Sequence, residues 1–169
     1  MPVSAESYEK RDLMNMTHDM TDTSSQRDYQ PEALLLKNQL CFPLYACARE
    51  TVKKYKPCLE QVGLTYTQYI TMMILWEQRT VTAKELGQRL YLDSGTLTPL
   101  LKRMEAKGLL TRQRDPVDER SLRVTITDAG EALRERALEI PYQMAKLVRL
   151  TPEESETLYK LLYKLLGNA

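Results

Sequence analysis

The stretch AKELGQRLYLDSGTLTPLLKRMEAKGLLTRQRDPVDERSLRVTIT, residues 83–127, changes its periodicity along its length, and those changes decide the fold. AKELGQRL (83–90) is a short helical segment, and the turn YLDSG follows it. From about Ser94 to Lys107 the apolar residues Leu97, Leu100, Leu101 and Met104 recur at helical spacing, and Gly108 suits a C-terminal cap. The opposite facet of this second helix offers Gly95, Thr98 and Lys102. Pro99 is compatible with a first turn or else kinks the helix, so the start is set to within a few residues only. Beyond Gly108 the period becomes two: Leu122, Val124 and Ile126 face one side, Ser121, Arg123 and Thr125 the other. Residues 109–114 make the partner strand and 115–120 (DPVDER) the exposed hairpin tip. The order helix, turn, helix, hairpin predicts a winged helix-turn-helix, a mainly α fold with a small β-wing.

Charge gives this segment a partner. Residues 94–126 hold seven basic residues (Lys102, Arg103, Lys107, Arg112, Arg114, Arg120 and Arg123) and four acidic ones, a local net of +3 in a chain of net +1. A basic segment on a mildly acidic body is an electrostatic footprint for phosphate. A second helix of this kind presents its N-terminal polar atoms to base edges in the major groove, while the first braces it. Its free N–H groups also favour anions. Ser94, Gly95, Thr96 and Thr98 are small enough to let the backbone approach DNA. Arg120, at the hairpin tip, is placed to enter a minor groove, with Asp118 able to hold its guanidinium in a bidentate pair. Lys102, Arg103, Arg112 and Arg114 complete the candidate DNA-binding set. The competing reading, a solvated charged surface, explains the charges but not their coincidence with the helix–turn–helix–hairpin order.

Working outward, residues 1–32 are polar, without periodicity, and read as a disordered leader. Leu36, Leu40, Leu44, Ala48, Val52 and Tyr55 recur at helical spacing, predicting a long helix that stops before Pro57. Gly63 breaks the chain, Thr65 begins a core helix, TYTQYITMMILWEQ, and Thr80–Thr82 is briefly β-prone. Thr127 caps a helix, DAGEALRERALEI, that reaches Pro141, and Thr151 with Glu154 forms a capping box for PEESETLYKLLYKLL. The expected organisation is a leader over 1–32 and one domain over 33–169. Within that domain, 33–60 and 128–169 are dimerisation helices and 64–127 the DNA-binding lobe.

Composition narrows the classes. No run of 18 apolar residues exists and the N-terminus has no apolar core, so neither a membrane span nor a secretory signal is expected, and a cytoplasmic protein is. Thiols stay reduced there, and three cysteines (Cys41, Cys47, Cys58) argue against a disulfide framework. A metal centre is not expected, since the only histidine, His18, lies far from them. No cofactor is expected either.

The segments NQLCFPLYACARE, LTYTQY and LYLDSGTLTPLLKRMEAKGLLTRQRDPVDERSLRVTIT resemble the MarR family, and within it the organic hydroperoxide-sensing OhrR subgroup. The resemblance runs from about Leu35 to the C-terminus. It implies a homodimer with first and last helices interleaved, its two lobes straddling a pseudo-palindromic operator in double-stranded DNA. It implies that Ser94, Gly95 and Thr96 lie at the major groove and that Asp118 and Arg120 serve the wing. It also implies that Cys41 is a redox-sensing thiol, its thiolate hydrogen-bonded by Tyr55 of the partner subunit and Tyr66 of the partner subunit.

Spacing agrees with a contact between chains. Cys41, Tyr45 and Tyr55 share a helical face; Tyr45 is one turn from the sulfur. Tyr55, 14 residues away, is about 21 Å along a helix, so it reaches a Cys41 only from another chain or round a sharp bend. Phenol donors stabilise a thiolate, and Leu40 and Phe42 beside it favour organic hydroperoxides. Cys47 and Cys58 read as inert core residues. Neither comes within about 7 Å of Cys41 on one continuous helix, so a low-molecular-weight thiol is expected to cap the oxidised sulfur. Pro43 either bends the first helix or restarts it, which would leave Cys41 near a helix N-terminus. Two rival functions remain. One is a regulator of the same family released by a small aromatic ligand; the other is a thiol peroxidase, which lacks an arginine and a resolving thiol near Cys41.

Overall fold

In the computed structural model, which describes residues 31–116 and 121–167, seven α-helices and three strands follow two short 3-10 turns, Pro31–Leu34 and Leu36–Asn38. Helix α1 is Cys41–Gln61 and α2 is Tyr66–Gln78; strand β1 is Thr80–Thr82, α3 is Ala83–Leu90 and α4 is Ser94–Ala106. Strands β2 (Leu110–Arg114) and β3 (Leu122–Ile126) follow, then α5 (Asp128–Ala137), α6 (Glu139–Ala145) and α7 (Pro152–Leu165). None of the helices is long and apolar enough to cross a membrane.

The chain divides into two units at Lys53–Lys54. Up to Lys53 no described residue is buried. From Lys54 on, a single core gathers Leu59, Met72, Leu75, Leu86, Leu101, Met104, Leu110, Val124, Ala137 and Met144 from six helices and the sheet. All four apolar stripe residues of α4 lie in it, as their spacing predicts.

Helix starts are set locally. Thr65 lies outside α2 as its N-cap, with the Thr65–Gln68 capping box closed. Thr82, Asp93, Thr127 and Thr151 cap α3, α4, α5 and α7 in the same way, each side chain accepting a backbone N–H three residues on.

Prolines are where local reading and structure part. Helix α1 does not stop before Pro57 but runs through it to Gln61. Interior proline costs about 3 kcal/mol. Opposing that, Leu59 in the last turn is 2% exposed, and Val62 and Leu64 just beyond it are buried too. A buried leucine or valine contributes about 1.5–3 kcal/mol each, so burial wins. Arg136 further holds the Gln61 carbonyl. At the other end, α1 begins at Cys41, so Pro43 occupies a first turn, where the ring is tolerated, and not an interior. The segment after Thr127 breaks at Leu138 and restarts as α6, which puts Pro141 in a first turn as well.

The sheet has the order β1-β3-β2, both pairings antiparallel. The hairpin is in register with Arg112 opposite Val124 and Arg114 opposite Leu122. Thr80–Thr82, expected only as a β-prone stretch, pairs with Arg123–Thr125 and anchors the wing's root to α3.

Candidate nucleic-acid interface and thiol site

Asp93 builds the start of α4. Its Oδ1 accepts the Thr96 N–H at 2.9 Å and its Oδ2 accepts the Thr96 hydroxyl at 3.0 Å. These bonds, the backbone one foremost, hold its carboxyl below the usual carboxylate range. A Cβ on Gly95 would come 3.0 Å from Asp93 Oδ1, so glycine leaves the cap undisturbed. Ahead of it Tyr91 closes α3 in the left-handed region, φ 54°, where a side chain is disfavoured. Gly87 lets the turn approach, its absent Cβ facing the Leu92 carbonyl at 3.0 Å. Ser94, Gly95, Thr96, Thr98, Lys102 and Arg103 are all exposed on α4. Asp93 escaped the sequence reading, although a carboxylate three residues before Thr96 is an N-cap signature.

The wing's basic residues divide. Arg112 is turned inward: its guanidinium meets Glu105 Oε2 through Nε at 2.9 Å and Nη2 at 2.6 Å, and its backbone N–H reaches Oε1 at 2.9 Å. The carboxylate thus rivets α4 to β2, and Arg112 is 18% exposed there, a structural commitment that charge counting did not foresee. Arg114 is exposed on β2. Near the tip Arg123 Nε pairs with Asp115 Oδ2 at 2.8 Å, and the Asp115 N–H donates to the Ser121 carbonyl at 2.9 Å. Asp118 and Arg120 lie outside the described residues.

Arg112 holds the Glu105 carboxyl below its usual range, chiefly through the side-chain hydrogen bond. A lowered folded pKa gives stability that is present above the ordinary glutamate value of about 4.3 and lost as pH falls below it. Glu105→Gln is therefore expected to lower the melting temperature at pH 7, with the gap to the parent closing below about pH 4. Thermal unfolding followed by circular dichroism at both pH values checks this; an unchanged gap at low pH would show that charge is not the cause.

Cys41 occupies the first position of α1 and is exposed. Tyr45, one turn on, accepts a hydrogen bond from Arg49 Nη1 at 3.0 Å. Cys47 is exposed, against the expectation of a core residue. Cys58 is half-buried, and its Sγ–H donates to Gln143 Oε1 at 2.9 Å, a polar contact that its reading as an inert core residue did not suggest. Gln143 was likewise missed, since nothing local links residues 85 apart. All three thiols are free. Among the described residues no group of three or more His, Cys, Asp or Glu stands ready to hold a metal ion.

Tyr55 on α1 and Tyr66 on α2 meet edge-on with ring centroids 5.0 Å apart. Tyr69 stands 6.1 Å from Tyr55, and Trp76 extends the cluster at 6.3 Å from Tyr69. Burial first, then the neighbouring Tyr66 and Cys58, push the Tyr55 phenol above the ordinary tyrosine value. Burial therefore favours the neutral phenol.

A sequence model described as the MarR family matches residues 64–122, the span from just before α2 to the first residue of β3. The organic hydroperoxide resistance transcriptional regulator of Bacillus subtilis is 50% identical over 131 residues, covering 78% of this chain and 89% of that one. Crystal structures of AbfR of Staphylococcus epidermidis superpose with a TM-score of 0.66 at 36% identity, covering 78% of this chain and 91% of that one. The overoxidised AbfR bound to DNA matches equally (TM-score 0.66, 36% identity, 78% and 93% covered). A disulfide-formed AbfR matches at TM-score 0.58 and 37% identity, with 78% and 92% covered. With the winged helix-turn-helix in place and 50% identity over 89% of the Bacillus subtilis regulator, the chain belongs to the MarR family of transcriptional regulators.

Proposed function

We propose that this protein is a DNA-binding repressor that senses organic hydroperoxides through Cys41 and leaves its operator when that thiol is oxidised. The observation that carries the reading is the exposed thiol of Cys41 at the head of α1, in a chain 50% identical over 131 residues to an organic hydroperoxide resistance regulator. The working unit is a homodimer. Helix α7 buries none of its residues, and Leu158, Leu161 and Leu165 on it are 41%, 54% and 59% exposed. Leu40, Phe42 and Val52 are uncovered in the same way around α1. Apolar faces of this extent mark an interaction surface. The two lobes of such a dimer present α4 to successive major grooves of a pseudo-palindromic operator, with Ser94, Gly95, Thr96 and Thr98 nearest the base edges. Lys102, Arg103 and Arg114 face the phosphates, and Asp118 and Arg120 are assigned to the wing tip.

In this reading the Tyr55–Tyr66 pair of one subunit donates to the Cys41 thiolate of the other. The thiolate attacks the terminal oxygen of the hydroperoxide; the S–O bond forms as the O–O bond breaks, and the departing alkoxide takes a proton from water to leave as the alcohol. The sulfur becomes a sulfenic acid, which a low-molecular-weight thiol converts to a mixed disulfide with release of water. A neutral, enlarged sulfur is a poorer acceptor for two phenols. Their rearrangement across the interface shifts the spacing of the lobes.

The test is a gel shift on DNA upstream of the protein's own gene. A retarded band that disappears on adding cumene hydroperoxide is expected; a band that persists overturns the sensing claim, and no band at all overturns the DNA claim. Tyr55→Phe refines it. The ring contacts remain, so the melting temperature should barely move, while the peroxide needed for half-release rises about tenfold, the value of one hydrogen bond to a charged group.

A further inference from the structure

Pro99 stands in the second turn of α4, five positions after Ser94, where a helix has no free N–H to give up. With no N–H it removes the donor that would otherwise close on the Gly95 carbonyl. Successive residues turn about 100° around a helix, which places Gly95, Pro99 and Lys102 at the centre of the face opposite buried Leu97, Leu100, Leu101 and Met104. Gly95 and Pro99 are both exposed. Gly95 has no side chain to screen its own carbonyl. The outermost strip of this helix therefore carries one carbonyl that has lost its usual donor four residues on and, packed beside it, one exposed apolar ring.

We infer that Gly95 and Pro99 together form a sequence-reading element for an A·T pair: the Gly95 carbonyl accepts from the adenine N6 amine and the Pro99 ring packs on the thymine methyl. In the major groove only A·T pairs carry an amine donor and a methyl group; G·C pairs offer the amine without the methyl. Side chains at a groove-facing strip usually read bases through flexible polar ends. Here the reader is rigid backbone and ring, which fixes the contact in register with the Asp93-capped helix start. This inference rests on the proposed DNA-binding function and assigns the specificity of that same surface.

Selection of the full-length protein on randomised duplexes tests it, beside Pro99→Ala, which restores the missing helix bond and so keeps the fold. The parent should enrich one A·T pair in each half-site, and Pro99→Ala should lose that preference while retaining the remaining positions. Replacing the thymine by deoxyuridine removes only the methyl. It should weaken the parent about tenfold, the effect of one mismatched base contact, and leave Pro99→Ala unaffected. Equal deoxyuridine sensitivity in both proteins, or an unaltered selected sequence for the variant, overturns the assignment while leaving the DNA-binding reading intact. Failure of the parent to enrich any duplex overturns both.

Discussion

A protein carrying Cys41→Ser is expected to hold its operator as tightly as the parent, within about twofold, and to stay bound at hydroperoxide concentrations that release the parent completely. The first half follows from position. Cys41 is exposed at the first turn of α1, makes no part of the buried core and lies outside α3 and α4, the helices proposed to face DNA, so one sulfur-to-oxygen exchange removes no packing. The second half follows from chemistry. A serine hydroxyl ionises far above physiological pH and has no accessible oxidation ladder, so no sulfenic acid forms. Titrating both proteins with cumene hydroperoxide in a gel shift gives the comparison directly. Release of the serine variant at the parent's concentration would move sensing to Cys47, Cys58 or a site of another kind. Cys47→Ser and Cys58→Ser controls then say which: Cys47 is exposed, whereas Cys58 is engaged with Gln143.

The largest structural effect is expected at Gly130. A Cβ there would lie 2.2 Å from the Leu109 carbonyl oxygen and 2.8 Å from Ile126 Cγ1, and the first of these is backbone that cannot swing aside. The same residue's carbonyl accepts the Trp76 indole N–H at 3.0 Å. Gly130 is therefore the point at which α5, the wing's root and α2 close on one another. Gly130→Ala must push α5 away from residues 109 and 126, and overpacking of this kind costs about 3 kcal/mol, or roughly 10 °C in melting temperature for a chain of this size. Gly108→Ala is the contrasting variant. Its φ of +72° disfavours a side chain but nothing lies within 4 Å of the new methyl, so only about 1 kcal/mol is expected. Thermal melts of the two variants side by side decide the matter; equal losses would mean that backbone conformation, not crowding, sets the cost at Gly130.

How much of this was legible in advance differs element by element. The buried stripe of α4 came from spacing alone, because a four-residue hydrophobic repeat has one way to face a core. The capping box at Thr151 was equally local, since an N-cap and its partner are three residues apart; at Thr65 only the helix start was read, and Gln68 as its partner was missed. The switch to period two at the wing was local as well. The candidate site was legible as a set of exposed residues on α4 and as a thiol with two tyrosines. It was not legible as a set of contacts.

The sequence by itself determined the order of the main elements, the helix starts at Thr65, Thr127 and Thr151, the alternation of the wing strands and the resemblance that brings the family. Each depends on neighbours within a turn or two. Only the tertiary structure decided that α1 continues through Pro57, because the compensating burial of Leu59 is supplied by distant helices. It alone paired Thr80–Thr82 with β3 across more than forty residues, engaged Arg112 with Glu105, gave Cys58 its bond to Gln143 and seated Tyr55 against Tyr66. Periodicity records which face of an element is apolar. What that face, or a charge beside it, actually meets is set by long-range packing, and for Arg112 and Pro57 the packing outweighed the local preference.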